Sequence, residues 1–309
     1  MFNISIVTLN YNSTSTTITL IESILSKTRD LNFEIIVVDN GSDEENYFQL
    51  FDYIKQLNNP NIKVVRSHIN TGFGAGNMIG YANCSSSNYV AFINNDVEFI
   101  DDVLYTLALY LDNHHDVAVI SPQSVNQNND FVPTIDHFAS WQREIFTRKF
   151  LEFVNPKRFP KRKKIYSEPV EADFVAGSFM LIRRSDFNLI GGFDTNLFLY
   201  YEETDLSRRF RKLNKKTILY PKLKYKHLHG FSTEKSLRIK LEQKISLFYV
   251  IRKHQGWLAY KLLLIYFGIK YFFSMFLSPK KWKLFSAVLL GMPIHMSLKN
   301  KQKIEFLNR

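Results

Sequence analysis

Short apolar runs alternate with segments of helical periodicity along residues 4–121, and this alternation constrains the fold more than any other feature of the chain. The apolar runs predict strands at residues 4–9, 34–38, 62–66, 89–93 and 117–121. The segments between them predict helices at residues 13–26, 44–57, 76–82 and 103–111. Because short helices link successive strands, we expect these strands to pair in parallel with right-handed crossovers, in a Rossmann-like, mixed but mainly parallel α/β sheet flanked by helices.

The composition is that of a globular protein in a reducing compartment. The chain has 309 residues, of which 45% are hydrophobic and 15% aromatic, enough for one large domain or two smaller ones. Its one cysteine, Cys84, excludes an intrachain disulfide. Residues 2–9 alternate like a strand, so we expect no signal peptide.

Charge is distributed very unevenly along the chain. Residues 1–205 hold 16 Lys and Arg against 26 Asp and Glu, whereas residues 206–309 hold 24 against 3. The imbalance favours a polyanionic partner for the rear part, the alternative being two solvated faces of one domain. Lysines mixed with long apolar runs suit lipid headgroups better than duplex phosphate, so we expect a membrane surface and no nucleic acid as the partner.

The fourth predicted strand runs into Asn94-Asn95-Asp96. Open α/β sheets bind ligands beyond the carboxyl ends of their strands, and a carboxylate there suits a divalent metal with its diphosphate. Asn94 is unusual, because a second acid at its position would serve a metal better. The alternative is an ordinary Asn/Asp-rich turn.

Two further predicted strands end in polar residues at the same edge. Asp39 closes the second strand, at the level where Thr8-Leu9-Asn10-Tyr11-Asn12 closes the first, and can accept a hydrogen bond from a base or a ribose. Residues 70–77 follow the third strand, with glycines that allow close backbone approach to phosphate. Their position after the third strand and their spacing argue against a dehydrogenase.

Two clusters in the later sequence carry titratable groups. Glu202, Glu203 and Asp205 stand at a predicted helix start, where close carboxylates raise one pKa towards that of a general base; the alternative is charge that complements the helix dipole. His227 and His229 follow a short predicted strand and point the same way on an extended chain. One or both could complete a metal site with Asp96, although such a pair is often structural.

Taken in order, these motifs resemble family 2 glycosyltransferases, most closely the bacterial branch that includes rhamnosyl- and galactofuranosyltransferases. The resemblance covers about residues 3–235. It rests on Thr8-Leu9-Asn10-Tyr11-Asn12, Val37-Val38-Asp39-Asn40-Gly41-Ser42, Asn70-x-Gly72-Phe73-Gly74-x-Gly76-Asn77, Asn94-Asn95-Asp96, Gly177-Ser178, Gly192-Phe193-Asp194, Glu202-Glu203-x-Asp205-Leu206 and His227-x-x-Gly230-x-Ser232.

The resemblance implies a GT-A fold and an inverting single displacement that uses a nucleotide-sugar donor and Mg²⁺ or Mn²⁺. Asp96 and either His227 or His229 would hold the metal, and Glu203 would be the base, with Glu202 and Asp205 as alternatives or orienting groups. The implied nucleotide-sugar residues are Thr8, Asn10, Tyr11, Asp39, Asn70, Gly72, Asn77, Asn94 and Asn95. The donor would be a UDP- or dTDP-sugar and the acceptor a lipid-linked or other glycan.

We predict a catalytic domain at residues 1–233, interrupted by a variable excursion at 124–170, and a helical region at 234–309. The excursion carries six basic residues within 157–164 and is either a mobile segment near the site or membrane, or a plain solvated loop. Residues 257–277 are long enough to span a bilayer, but Lys261 and Lys270 would each cost about 2.5–3.5 kcal/mol near its centre. We therefore expect interfacial helices; a helical subdomain packed on the core is the alternative.

Two rival functions use the same fold. A nucleotidyltransferase would need a basic, glycine-rich loop after the first strand, and residues 8–12 contain neither lysine nor arginine. A catalytically inactive relict would be a basic membrane-binding protein. The resemblance favours a transferase of bacterial polysaccharide synthesis, cytoplasmic and bound to the inner face of the membrane.

Overall fold

In the computed structural model, which describes residues 3–228 and 236–302, the alternating segments form a nine-stranded mixed sheet and a separate two-stranded sheet. The strands are β1 (Asn3–Asn10), β2 (Asn32–Asn40), β3 (Ile62–Ser67), β4 (Tyr89–Ile93), β5 (Val97–Phe99), β6 (Val117–Val125), β7 (Ile135–Asp136), β8 (Val170–Ala172), β9 (Phe174–Val175), β10 (Phe179–Arg183) and β11 (Lys216–His227). The helices are α1 (Thr14–Lys27), α2 (Glu44–Leu57), α3 (Phe73–Ala82), α4 (Val103–Asn113), α5 (Trp141–Val154), α6 (Arg184–Leu189), α7 (Glu202–Lys212), α8 (Leu237–Leu277) and α9 (Trp282–Leu289).

The main sheet has the order β3-β2-β1-β4-β10-β6-β11-β5, with β8 on β11. β1 to β4 pair in parallel, as does β11 with β6. However, β10 is antiparallel to both its neighbours, and β5 and β8 are antiparallel to β11. The sheet is therefore mixed, as expected: the helix-linked strands β1 to β4 are parallel, and the antiparallel β10 follows the excursion and not a helical crossover.

The apolar residues of the strands alternate between two cores, one on each face of the sheet. Ile4 and Ile6 of β1 pack with α1, α2 and α4, while Val7 of β1 and Ile36 of β2 pack on the opposite face. This alternation follows from the two-residue period of a strand. The sheet is thereby covered on both sides, and its strand ends are left to form a site.

Most predicted elements are present, with three differences. α3 begins at Phe73, because Gly72 (φ 83°) stands at its N-cap. The short strand expected before His227 is the end of the longer β11, which keeps its pairing with β6 across a register shift between Tyr220 and Lys224. The sequence did not indicate β5, because three residues directly after a polar turn are too few to show the alternation of a strand.

The rear part of the chain folds back as a helical layer. α8 packs against α5, α7 and α9 and has a left-handed break at Gly256 (φ 82°). Buried Leu263 and Phe267 lie on one face of α8 with Ala287 of α9, but much of the opposite face is exposed. Among the described residues, α8 is the one helix long and apolar enough to cross a membrane. The predicted boundary at 233/234 lies outside them.

Candidate active site

A cleft of about 530 Å³ opens at the carboxyl ends of β1 and β4. The chain leaves β1 towards β2 on one side of the sheet and reaches β4 on the other, which is the switch point where open α/β sheets bind ligands. Three carboxylates line the cleft: Asp96, Glu202 and Glu203. Residues that lie far apart in the sequence therefore meet here as the sequence predicts.

Asn10, Asp39 and Arg66 stand side by side across β1, β2 and β3, below the cleft. Asn10 Nδ2 donates to Asp39 Oδ1 at 3.2 Å, and Arg66 Nε lies 3.7 Å from Asp39 Oδ2. Asn10 and Asp39 are fully buried, and so is Thr8, which lies two residues before Asn10 in β1. None of these three lines the open cleft, whereas Tyr11 stands at its rim, half exposed.

Asp39 is buried without full compensation of its charge. Burial raises the pKa of its carboxyl, and hydrogen bonds from Ser42 and Asn10 and the charge of Arg66 only partly offset this effect. Within the described part of the chain, no group donates a hydrogen bond to its Oδ2. A buried acceptor in this state can take an N–H from a ligand.

The loop after β3 is held against β2 by asparagine side chains. Asn70 Oδ1 accepts from the Gly72 amide at 2.9 Å, and Asn40 Oδ1 accepts from the Thr71 amide at 2.9 Å. A Cβ on Gly72 would lie 2.2 Å from the Phe198 carbonyl oxygen, so only glycine fits. Asn77 lines the cleft from α3 and donates to the Phe73 carbonyl.

The Asn94-Asn95-Asp96 turn is tied to its neighbours by both backbone and side chains. The Asn94 amide donates to the Ser178 carbonyl at 3.0 Å, and Asn95 Nδ2 donates to Ser13 Oγ at 2.7 Å. The Asp96 carbonyl accepts from the Leu228 amide. This bond and the pairing of β11 with β5 bring His227 Nε2 to 3.1 Å from Asp96 Oδ1.

Asp96 and His227 form a pair of adjacent cleft side chains that suits a divalent cation. No cluster of three or more His, Cys, Asp and Glu side chains within residues 3–228 and 236–302 is arranged to hold a metal. A carboxylate and an imidazole nevertheless fit a cation whose remaining ligands are substrate phosphate oxygens and water. His229, the alternative ligand, lies outside the described residues.

Glu202 and Glu203 follow two consecutive residues with left-handed backbone, Tyr200 (φ 75°) and Tyr201 (φ 71°). Bulky residues rarely adopt this conformation, and such strain concentrates at functional sites. The turn starts α7 abruptly and directs both glutamates into the cleft. Glu203 Oε1 then accepts a hydrogen bond from the Gly177 amide at 3.1 Å.

The two glutamates differ in their surroundings. Burial raises the pKa of Glu203, while the Gly177 amide holds part of that rise back. Glu202 is more deeply buried, and burial together with the charge of Glu203 raises the pKa of its carboxyl well above the usual range. We infer that Glu202 is the neutral member of the pair and that Glu203 is the member that carries the charge when the pair ionises.

Asp205 faces away from the cleft. Its fully buried carboxylate accepts from Arg209 of the same helix and from His254 of α8, with Lys253 also in contact. Burial acts to raise its pKa, but the His254 hydrogen bond and the charges of Arg209 and Lys253 bring it to about 2. This geometry ties α7 to α8.

Some cleft residues were missed by the sequence analysis. Asn40 directly follows Asp39 at a strand end, so its position was the available signal. Leu298 and Gln302 reach the cleft from the end of the described chain. They are held there because buried Glu242 accepts from Ser297 Oγ at 2.8 Å and from the Leu298 amide at 2.7 Å. No local pattern indicates such a contact.

The ordered motifs and this geometry agree with a comparison of sequences. The sequence model of the family described as "Glycosyl transferase family 2" matches residues 5–191. The chain belongs to this family. The match covers β1 to β10, and therefore Asp39, Asp96 and Gly177, but ends before Glu203 and His227.

Two individual relatives indicate which branch of the family the chain resembles. The chain is 30% identical over 151 residues to "Rhamnosyltransferase WbbL" of Escherichia coli (strain K12), covering 45% of this chain and 53% of the relative. It is 31% identical over 94 residues to an "N-acetylglucosaminyl-diphospho-decaprenol L-rhamnosyltransferase" of Mycobacterium tuberculosis, covering 29% and 31%. The chain thus spans about half or less of these relatives, which support the rhamnosyltransferase-like branch.

Solved structures show the same fold. A crystal structure of GalNAc-T7 with UDP, GalNAc and Mn²⁺ matches with a TM-score of 0.59 at 16% identity, covering 80% of this chain and 48% of the other. S. aureus TarS 1-349 matches with a TM-score of 0.54 at 17% identity, covering 81% and 65%. At these identities the likeness concerns the fold alone, and it confirms the predicted GT-A architecture.

Proposed function

We propose that the protein is an inverting glycosyltransferase that moves a sugar from a nucleoside-diphosphate donor to a hydroxyl group of a glycan, in bacterial cell-surface polysaccharide synthesis. One observation carries this proposal: Glu203, with a raised pKa, lines the same cleft as the Asp96–His227 pair. A base and a phosphate-side site are the two parts that such a transfer needs. Membership of the family supports the reaction class.

The donor nucleotide would lie against the ends of β1 to β3. Asp39 Oδ2 would accept the N3–H of a pyrimidine, which both UDP and dTDP present, after a small opening of the rim at Tyr11. Thr8 and Asn10 would support Asp39 from below. Asn70, Gly72 and Asn77 would border the ribose and the phosphates, and Asn94 and Asn95 would complete the floor.

Asp96 and His227 would hold Mg²⁺ or Mn²⁺, with His229 as the alternative to His227. When bound, such a cation supplies positive charge against the leaving diphosphate. The structure of GalNAc-T7 was obtained with Mn²⁺ and UDP, which supports a divalent cation in this family of folds. Because Asn94 brings no charge, Asp96 would be the only charged ligand among residues 94–96.

Glu203 would act on the acceptor. Its carboxylate would take the proton of the acceptor hydroxyl while that oxygen forms a bond to the anomeric carbon and the bond to the nucleoside diphosphate breaks. The Gly177 amide fixes the carboxylate at 3.1 Å, so little reorganisation is needed. Glu202, held neutral below it, would avoid a second negative charge beside the base. Asp205 would orient α7 through α8.

The acceptor would be lipid-linked, as the name of the mycobacterial relative indicates for that protein. The exposed face of α8 supports this, since Leu258, Phe273 and Leu277 are 78%, 66% and 88% exposed. Lys261 and Lys270 border that face. We propose that this surface lies in the interface of the cytoplasmic leaflet, with lysines at the headgroups.

A panel of UDP- and dTDP-sugars, assayed for transfer to a lipid-linked glycan acceptor with and without Mn²⁺, tests the proposal. Mass spectrometry should show one added sugar for at least one donor, and free nucleoside diphosphate should be released. Neither transfer nor donor hydrolysis with any member of the panel would favour the inactive relict. Release of pyrophosphate would instead indicate a nucleotidyltransferase.

A further inference from the structure

A second cavity of about 480 Å³ lies on the far side of α7 from the cleft. It is enclosed by α7, by α5 with the segment that follows it, and by α8 just before the break at Gly256. Its cationic lining residues Arg208, Arg211 and Lys212 follow Glu203 on the same helix, about 8–13 Å further along at 1.5 Å per residue. The cavity is therefore separate from the donor cleft.

Positive charge dominates this cavity. Arg158, Arg208, Arg211 and Lys212 line it, together with one carboxylate, that of Asp173. Asp173 is buried and accepts hydrogen bonds from both Arg158 and Arg211. Arg211 Nη2 also lies 3.5 Å from Oε1 of the half-exposed Glu171, so that, among the described residues, two carboxylates face four cations here.

Arg208 is the least compensated of these cations. Its Nη2 donates to the Ala139 carbonyl at 2.8 Å, and its Nε is buried without a partner among the described residues. Burial lowers the pKa of its guanidinium to about 10, and although Asp173 opposes this, Arg158 and Arg211 add to it. An anion in the cavity would relieve this crowding of charge.

The chemistry of the lining points to phosphate. Arginine guanidinium groups bind phosphate oxygens with paired N–H donors, and lysine adds a point charge. The guanidinium groups of Arg208 and Arg211 also stack on Phe138, 4.7 Å and 4.8 Å from its ring centroid, which holds them in place. The cavity is thus organised before any ligand enters.

The surroundings favour a phosphate that is part of an amphiphile. Leu151 lines the cavity from α5, and the same helix exposes Phe150 and Phe153, the latter by 84%. Gln255 lines it from α8, and Trp257, 63% exposed, follows two residues later. Apolar surface therefore begins where the basic lining ends.

We propose that this cavity is a binding site for a phosphate oxyanion, presented by the headgroup of an anionic lipid. The site goes beyond the proposed transfer reaction, since no residue of the donor cleft takes part in it. It would hold the protein at a phosphate-bearing membrane surface through α7, while the apolar face of α8 contacts the acyl boundary.

Calorimetric titration of the full chain in a neutral detergent with dihexanoyl phosphatidic acid tests the site. Lys212→Glu changes an exposed lining residue, and Lys149→Glu changes an exposed lysine of α5 outside the lining as the control. A change of two charges beside the ligand should weaken binding about 30-fold, at about 1 kcal/mol per charge. Lys149→Glu should bind as the unaltered chain does.

A second variant, Arg208→Gln, removes the buried cation and should also weaken binding; its near-ultraviolet circular dichroism shows whether it is folded. If Arg208→Gln does not fold, the affinity of Lys212→Glu still shows whether the cavity binds the headgroup. Equal binding by the unaltered chain and Lys212→Glu, or no binding by the unaltered chain, would overturn the site. Titration with sodium phosphate separates the sources: equally tight binding would support the oxyanion site but overturn the lipid headgroup as its ligand.

Discussion

The contact between Gly177 and Glu203 gives a sharp test of the catalytic geometry. A Cβ at residue 177 would lie 2.4 Å from Glu203 Oε1, whereas ordinary contacts lie at 3.4–4 Å. In Gly177→Ala the carboxylate must therefore move by about 1 Å, and a misplacement of that size lowers rates by about 100-fold. The carboxylate is the far end of a flexible side chain, so the fold should tolerate the change.

The same substitution should alter the pH dependence. If the displaced carboxylate loses the hydrogen bond from the Gly177 amide, its charged form loses stabilisation, and the pKa of Glu203 rises further above its ordinary value. A charge-assisted hydrogen bond contributes about 1.5 kcal/mol, which corresponds to about one pKa unit. The acidic limb of kcat/KM should move to higher pH by about this amount, because the base is protonated over a wider range.

Transfer rates measured across pH for Gly177→Ala and for Gly268→Ala would check both effects. Gly268 is a matched control, because a Cβ there would meet only Val288, at 3.8 Å. Thermal melting of both variants excludes unfolding as the cause. Both the loss of rate and the shift of the acidic limb follow from the displacement of the Glu203 carboxylate. If Gly177→Ala keeps activity within about twofold of the parent and its acidic limb does not move, Glu203 is not the base.

Changes at the Asn94-Asn95-Asp96 turn, in α7 and in α8 test the metal site, the contact of Asp205 and the membrane surface. Asn94→Asp, which adds a second acid beside Asp96, should tighten Mn²⁺ binding without nucleotide, as measured by calorimetry; unchanged affinity would count against a metal at this turn. Asp205→Asn should lower the free energy of unfolding at neutral pH by about 2 kcal/mol, from the depression of the pKa from 3.8 to about 2. Because the folded pKa is the lower one, this stability is present above pH 4 and is lost as the pH falls towards 2, so the variant should approach the parent in acid; parallel curves would contradict this. Truncation after residue 255 should release the protein from vesicles of zwitterionic lipid, which lack the anionic headgroup proposed for the second cavity. A truncated chain that still sediments with these vesicles would contradict the α8 surface as the anchor.

The local sequence pattern alone was enough to locate the site residues that follow a strand. Asp39 and Asp96 could be placed at one edge of a sheet, because an apolar run that ends in a polar residue marks a strand end. In the structure Asp39 lies at the end of β2 and Asp96 follows β4, at the same edge of the sheet. The metal-binding and donor-binding roles given to these residues stay predictions.

Contacts set by the tertiary fold could not be predicted in this way. The antiparallel β10 follows a long excursion whose path no period reveals. The left-handed pair Tyr200-Tyr201 has no signal in the sequence, since nothing in these residue types favours such a backbone. Leu298 reaches the cleft only because Glu242, more than fifty residues earlier in the chain, binds its amide. Asp205 resembles a site acid in sequence, but His254 of α8 turns it into a structural contact.

In the proposed mechanism, Glu203 removes the acceptor proton while other residues bind the donor. Glu203→Gln keeps the size of the side chain and its acceptor oxygen but cannot take up a proton. The decisive measurement pairs the transfer rate of this variant with its affinity for the nucleoside diphosphate that the donor panel identifies. We predict that transfer is abolished and that nucleotide affinity is nearly unchanged. Transfer at the rate of the unaltered chain would contradict the account.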